Sequence, residues 1–434
     1  MTSFRHPGTV LTDHFFTVPL DHDDPGGPQI EVFAREVTSA SAARANFRDG
    51  ANLPWLLFLQ GGPGGASPRP VGRWSWLDRA LKDYRVLLLD QRGTGRSTPA
   101  TRQTLAGLGG PREQAGYLAN FRADSIVRDA EIIRRALIGD EPWSILGQSY
   151  GGFCSATYLS LAPEGLREAL ITGGLPGLEA SAEDVYRATY PRVAAKVAAH
   201  YERYPDDIDH AKRIARHLRD HDVRRPDGGR LTVEAFQSTG HLLGMSTGSH
   251  ELHYMLEDAF AGDDLSDTFL RQVQTTISPV GPLYVLLHEA CYAQGEGATR
   301  WAAQRVRAEF PEFAAAAALD GDAPLMFTGE MIYPWTVADD PLLRPLRETA
   351  EVLAERTDWP RLYDPARLAA SEVPAAAAVY FNDMYVDAGF SLATARASRG
   401  LQPWVTSEYE HDGLRVSHGA VLDRLIRMVR GEAG

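Results

Sequence analysis

The sequence predicts an α/β fold: a mostly parallel central sheet with helices on both faces, interrupted by a large helical insertion. Three observations point to it. Short, wholly apolar runs such as Trp55–Leu59 and Val86–Leu89 end in polar or Gly-rich loops, the pattern of strands buried on both faces. Helical patterns alternate with these runs, which implies parallel strands joined by crossover helices. Strand-like sequence stops near Gly173–Gly177 and returns at Ala376–Phe381, so one sheet domain is interrupted rather than followed by a second.

Each element has a local reason. Residues 14–20 and 29–37 read as two strands joined by the Asp-, Gly- and Pro-rich turn DHDDPGGP. In 125–137, Ile126, Val127, Ala130, Ile133 and Leu137 share one helical face, and Asp124 or Ser125 can cap its N-terminus. A strand over Trp143–Leu146 runs into Gly147-Gln148-Ser149-Tyr150-Gly151-Gly152, a helical segment follows to Pro163, and Glu168–Thr172 is the next strand. From about 178 to 340 the patterns are helical, and the alanine run 314–318 is expected to be helix because alanine is the best helix former. Strands are expected again at 376–381 and 404–409, with a closing amphipathic helix over 420–429. The predicted organisation is a sheet core over 1–177 and 341–434, with a helical cap over 178–340.

Composition sets limits. A chain of 434 residues, 44% hydrophobic and 23% charged, has the balance of a globular protein. A net charge of −13 argues against nucleic acid or anionic membrane as partner, because both require clustered Lys and Arg. Two cysteines far apart, Cys154 and Cys291, are expected to be reduced thiols. The N-terminal residues lack the pattern of a signal peptide, and no apolar stretch is long enough to cross a bilayer. A cytoplasmic protein is the expectation.

The chemistry concentrates at Gly147–Gly151, which matches G-x-S-x-G. The pentapeptide is only moderately specific by itself. Its context, a strand entering and a helix leaving, is that of a nucleophile elbow, which presents Ser149 on a strained turn. A nucleophilic serine generates a tetrahedral oxyanion that needs preorganised N–H donors. Tyr150, following the serine, supplies one, and the loop Gln60–Gly65 after an early strand supplies the other, from Gly62 or its competitor Gly61. In this fold the acid and then the base follow the serine along the chain. Only His411 and His418 lie beyond the returning strand, and His411, on the loop after the last strand, is the expected base. The expected acid is Asp383, with Asp387 as its competitor. Its task is to hold the imidazole tautomer. Asp90–Ser97 has no third glycine and no P-loop lysine, so nucleotide binding does not follow. His250 and His253, three apart, lack a further ligand set, and His210, His217 and His221 are expected on a helix surface. No metal or cofactor is called for.

Gln60–Gly64 (QGGPG), Asp90–Ser97 (DQRGTGRS), Gly147–Gly152 (GQSYGG), Asn382–Asp387 (NDMYVD) and Glu408–Leu414 (EYEHDGL) together resemble the prolyl aminopeptidases, or proline iminopeptidases. These are serine peptidases of the α/β-hydrolase fold. The cap segments Leu286–Gln294 (LLHEACYAQ) and Phe327–Trp335 (FTGEMIYPW) are similar to the larger-cap branch of that family. The resemblance implies removal of an N-terminal proline from small peptides through an acyl-enzyme on Ser149. It also implies that cap glutamates bind the substrate's free amine. Glu289 matches one such segment, and Glu330 is the weaker candidate for a second. Many relatives carry His where this chain has Gln60. Because the oxyanion donors are backbone groups, the oxyanion hole is expected to survive that change. The competing expectation is a serine esterase or amidase acting on small acyl substrates without a free amine.

Overall fold

The computed structural model describes residues 2–41, 53–71, 75–278 and 281–432. One sheet of nine strands organises them: β1 (Thr2–His6), β2 (Thr9–Pro19), β3 (Gln29–Ser39), β4 (Trp55–Leu59), β5 (Arg85–Leu89), β6 (Trp143–Gln148), β7 (Leu166–Thr172), β8 (Ala375–Tyr380) and β9 (Leu401–Thr406). Their order across the sheet is β1-β2-β3-β5-β4-β6-β7-β8-β9. The first three strands form an antiparallel meander that joins β5 antiparallel, and from β5 to β9 every neighbour is parallel. Among the helices are α1 (Ser75–Ala80), α2 (Ala123–Ile138), α3 (Tyr150–Leu161), α4 (Ala182–Arg203), α5 (Ala302–Arg307), α6 (Ala388–Ala397) and α7 (Ala420–Val429).

The period-2 alternation of each strand sorts its side chains between two helical layers. Leu57, Leu59, Leu87, Leu89, Ala375, Ala377 and Val379 pack with residues of α2 and α3. Leu56, Phe58, Val86, Leu88, Ala376, Ala378 and Tyr380 pack on the other face with Trp76, Leu77 and Ala80 of α1 and the apolar stripe of α7. Alanine has little intrinsic strand preference, so the AAAAVY strand owes its conformation to burial between these layers.

Between β7 and β8 the chain leaves the sheet. A separate core gathers Tyr186, Tyr190, Val193 and Val197 of α4 with residues of later cap helices, up to Tyr333. Met384 and Tyr385, just after β8, are inserted into that same core. The molecule is therefore an α/β-hydrolase fold with a helical cap whose core grips a sheet-end loop.

Most of the expected elements are present, with three differences. The N-terminal strand β1 pairs with β2 at the sheet margin, although its polar sequence gave no signal. Two-residue ladders, Phe260–Ala261 with Asp264–Leu265 and Gly295–Glu296 with Asp358–Trp359, occur within or beside the cap, outside the main sheet. The last strand spans Leu401–Thr406 rather than 404–409. The strand takes in Pro403 because β9 is an edge strand with only β8 beside it, and an edge tolerates a residue without an N–H. The alanine run forms a helix over Ala315–Leu319. Among the described residues no helix is long and apolar enough to cross a membrane.

Candidate active site

Ser149 sits between the end of β6 and the start of α3 with φ 56° and ψ −124°, a conformation that costs a non-glycine residue about 1–3 kcal/mol. Main-chain bonds fix it: the Ser149 N–H donates to the Thr172 carbonyl at 2.9 Å, and the Ser149 carbonyl accepts from Gly152 at 2.7 Å. The flanking glycines are sterically required. A Cβ on Gly147 would lie 2.3 Å from the Gly151 carbonyl oxygen, and one on Gly151 would lie 1.9 Å from the Leu59 carbonyl oxygen. Ser149 stays partly exposed while its neighbours Gln148 and Tyr150 are buried.

The loop after β4 lies directly against this elbow. A Cβ on Gly61 would be 3.0 Å from the Ser149 Cβ, and Gly62 takes φ +135°, in the region that favours glycine. The Asp90–Ser97 segment braces this loop. Asp90 accepts from Ser67 N–H at 3.0 Å and from both Arg69 terminal nitrogens, and Gln91 Nε2 donates to the Gln60 carbonyl at 3.0 Å. Within the same segment the buried Arg92 pairs with Asp129 at 2.5 Å and donates to the carbonyls of Pro19, Leu20 and Asn120. The segment that resembled a nucleotide loop thus buttresses the sheet end.

Asp383 and His411, 28 residues apart, meet at 2.7 Å between Oδ2 and Nδ1, both buried. The other Asp383 oxygen accepts from the N–H groups of Tyr385 and Val386 at 2.8 and 3.1 Å. Asp387 instead caps α6, accepting from Gly389 and Phe390, and pairs with Arg192. His418 is exposed, at a left-handed φ of 51°. Burial pulls the His411 imidazole down. The charge and hydrogen bond of Asp383, reinforced by Glu330, overcome this and hold it above the usual histidine value. The Tyr385 ring packs edge-on against the imidazole at 4.8 Å, and the His411 N–H donates to the Gly244 carbonyl. A two-glycine turn bridges base and elbow. A Cβ on Gly173 would lie 3.1 Å from His411 Nδ1, and one on Gly174 would lie 2.3 Å from the Ser149 carbonyl oxygen.

The two cap glutamates are not brought to one cavity. Glu330 lines a cavity of about 200 Å³ together with Tyr284, His241, Ser238 and Trp335. Its Oε1 accepts from the Tyr284 hydroxyl at 2.7 Å. Tyr284 lies next to the Gly-rich loop, since a Cβ on Gly64 would be 2.9 Å from its backbone nitrogen. Glu289 borders a separate, far smaller cavity. Its Oε1 accepts the Ala303 N–H at 3.0 Å, in the first turn of α5. Burial pushes the Glu289 carboxyl up to about 7 against the pull of the Ala303 and Ala302 amides, Thr299 and Arg305. Glu289 is thus turned to a helix N-terminus, whereas Glu330 faces the cavity beside Tyr284.

That placement has a measurable consequence. The folded state binds a proton on Glu289 more tightly than the unfolded chain, whose glutamates titrate near 4.5. The associated stability is present below pH 4.5 and lost as pH rises through 7. Glu289→Gln is therefore expected to raise the thermal midpoint at pH 8 and leave it nearly unchanged at pH 4.5, a difference of on the order of 2–3 kcal/mol. Thermal melts of both proteins between pH 4.5 and 8 check this. Equal shifts at every pH would mean that Glu289 is not held in this way.

Comparison with known proteins agrees with this architecture. The profile of the alpha/beta hydrolase fold family matches residues 54–273. A proline iminopeptidase of Aeromonas sobria is 52% identical over 98% of this chain and 97% of its own length. The chain belongs to the proline iminopeptidase family of α/β hydrolases. The proline iminopeptidase aneH of Aspergillus aculeatus is 35% identical over 98% of this chain and 95% of its own length. Among solved structures, an alpha/beta fold family hydrolase from Bacillus anthracis aligns with TM-score 0.39 and 14% identity over 97% of this chain and 99% of that one.

The remaining histidine motifs of this iminopeptidase-family chain have structural partners. Buried Asp207 receives His200 Nε2, His210 Nδ1 and His253 Nδ1 at 3.0–3.3 Å, and His217 stacks on His221. Among the described residues no group of three or more His, Cys, Asp or Glu is arranged to hold a metal ion. Cys154 and Cys291 are free and buried, and burial pushes both thiols up. Sequence reasoning missed Tyr284 and Tyr385. Tyr385 lies within the recognised segment Asn382–Asp387 and Tyr284 two residues before Leu286–Gln294, but neither position carries a signal of what the hydroxyl or ring will meet.

Proposed function

We propose that this protein is a serine exopeptidase that releases N-terminal proline from small peptides through an acyl-enzyme on Ser149. His411 acts as general base and Asp383 orients it. In this mechanism Ser149 Oγ attacks the prolyl carbonyl as His411 takes its proton. Asp383, bonded to Nδ1, fixes the tautomer that leaves Nε2 free to accept, and its charge stabilises the imidazolium. The tetrahedral oxyanion meets the N–H of Tyr150 and that of Gly62, donors held by the elbow and the glycine loop. His411 returns the proton to the departing peptide amine, and water then repeats the sequence on the prolyl ester. Residues 1–177 and 341–434 supply the machinery, and the cap over 178–340 supplies specificity.

The observation that favours an aminopeptidase over a plain esterase is Glu330. Its carboxylate lines a cavity beside Tyr284, at the edge of the glycine loop, and is near enough to influence the His411 charge. An α-amine attached next to the scissile carbonyl needs an anion at such a position. Glu330, rather than Glu289, is accordingly assigned the substrate's cationic imino group.

A charge-assisted hydrogen bond to an ammonium contributes about 1.5–3 kcal/mol, so Glu330→Gln is expected to lower kcat/KM for Pro-p-nitroanilide roughly 10- to 100-fold. Hydrolysis of a small neutral p-nitrophenyl ester should change little. Equal losses on both substrates would reassign Glu330 to a structural role. A wild-type preference for N-acetyl-prolyl over free prolyl substrates would remove the aminopeptidase reading.

A further inference from the structure

The two loops proposed to bear acid and base are tied to the cap by ion pairs that the mechanism does not use. Both ties come from α4, one helical turn apart on the same face. Arg192 Nη1 donates to the Phe381 carbonyl at 3.3 Å, and its Nε pairs with Asp387 at 3.3 Å, bracketing Asp383. Lys196 Nζ reaches both carboxylate oxygens of Glu410 at 2.5 Å, one residue before His411. The Lys196 side chain is 15% exposed and that of Glu410 30%, so the pair is largely withdrawn from solvent screening.

We infer that Lys196 is a positioning residue for His411: by pairing with Glu410 it docks the base-bearing loop on the cap and cancels a carboxylate beside the imidazole. The inference rests on the assignment of His411 as base. The groups facing His411 explain why a compensating cation is needed. Asp383 and Tyr385 approach from the loop after β8, Glu330 from the cap, and Arg415 from the segment that follows; Asp412 lies next in sequence and accepts from Ser246. Two carboxylates, Asp383 and Glu330, act on the base, against the single nearby cation Arg415 among these groups. Burial and the charges of Asp383 and Asp412 hold Glu410 above the usual carboxylate value even with Lys196 bound to it, so this carboxylate is strained electrostatically. A further uncompensated negative charge would favour the imidazolium, and a general base must be neutral to work.

The test is the pH dependence of kcat/KM on Pro-p-nitroanilide for the full-length wild type, Lys196→Met, Lys196→Arg, Glu410→Gln and the double variant Lys196→Met/Glu410→Gln. Lys196→Met leaves Glu410 unpaired, so the acid limb is expected to move up by about 0.5–1 pH unit. Glu410→Gln leaves Lys196 unpaired and is expected to move the limb down by a similar amount. The double variant should return close to wild type, and Lys196→Arg should keep the wild-type limb. A purely structural tie would lower the plateau without moving the limbs in opposite directions. If Lys196→Met does not fold, Glu410→Gln still carries the sign of the effect. Coincident limbs, or shifts of one sign in both single variants, overturn the inference while His411→Ala remains inactive. An active His411→Ala would instead overturn the triad reading, and this inference with it.

Discussion

Ser149→Ala is expected to reduce turnover of Pro-p-nitroanilide by about 10⁶-fold, to the level of binding and oxyanion stabilisation alone. The magnitude follows from the proposed covalent route: without Oγ no acyl-enzyme forms, and the remaining groups cannot substitute for the nucleophile. The fold should be unaffected. The bonds that hold the elbow, Ser149 N–H to Thr172 and Gly152 N–H to Ser149, are main-chain and survive the substitution. Alanine also occupies the same positive φ at a similar cost. The check is a steady-state assay with the thermal midpoint measured on the same preparation. Activity within a hundredfold of wild type, at an unchanged midpoint, would assign the nucleophile elsewhere.

The second large effect is expected at the base. His411→Ala should lower kcat by about 10⁴-fold or more, and Asp383→Asn by a comparable factor, because an amide in place of the carboxylate favours the wrong tautomer. His418→Ala should stay within about threefold of wild type, since that side chain is exposed and sits on the turn that begins α7. The raised His411 value also predicts the pH response. Activity should fall as pH drops through that value, because the protonated imidazole cannot accept the serine proton, and the acid limb should lie above the ordinary histidine range near 6.5. A rate–pH profile on wild type checks the limb. If His418→Ala is the inactive variant, the wrong histidine has been assigned.

How much of this was legible without coordinates depends on the range of the interactions involved. The elbow was legible because its constraints are local: a strand, two obligatory glycines and a helix lie within residues 143–161, and the steric conflict at Gly147 is with Gly151 and Ser155. The buried parallel strands were legible because burial on both faces writes an unbroken apolar run. The start of β9 was not, because Leu401–Pro403 become strand by pairing with β8, and tolerance of Pro403 depends on which neighbour the strand lacks. The sequence left Asp387 open beside Asp383, because the end of the strand before them is not fixed by its apolar run. One reaches an imidazole 28 residues away, the other caps the helix that starts beside it.

The cap glutamates mark the boundary most clearly. By itself the sequence determined that this is an α/β hydrolase of the proline iminopeptidase family with a helical insertion, and that carboxylates lie within apolar cap segments. Only the tertiary structure decided where those carboxylates point. Glu289 is taken up by Ala303, 14 residues on, while Glu330 is left facing a cavity with Tyr284, 46 residues back. The physical reason is that a buried carboxylate must find donors or stay protonated. Which donors it finds is set by the packing of helices that are distant in the chain, and propensity, periodicity and motif do not encode that packing.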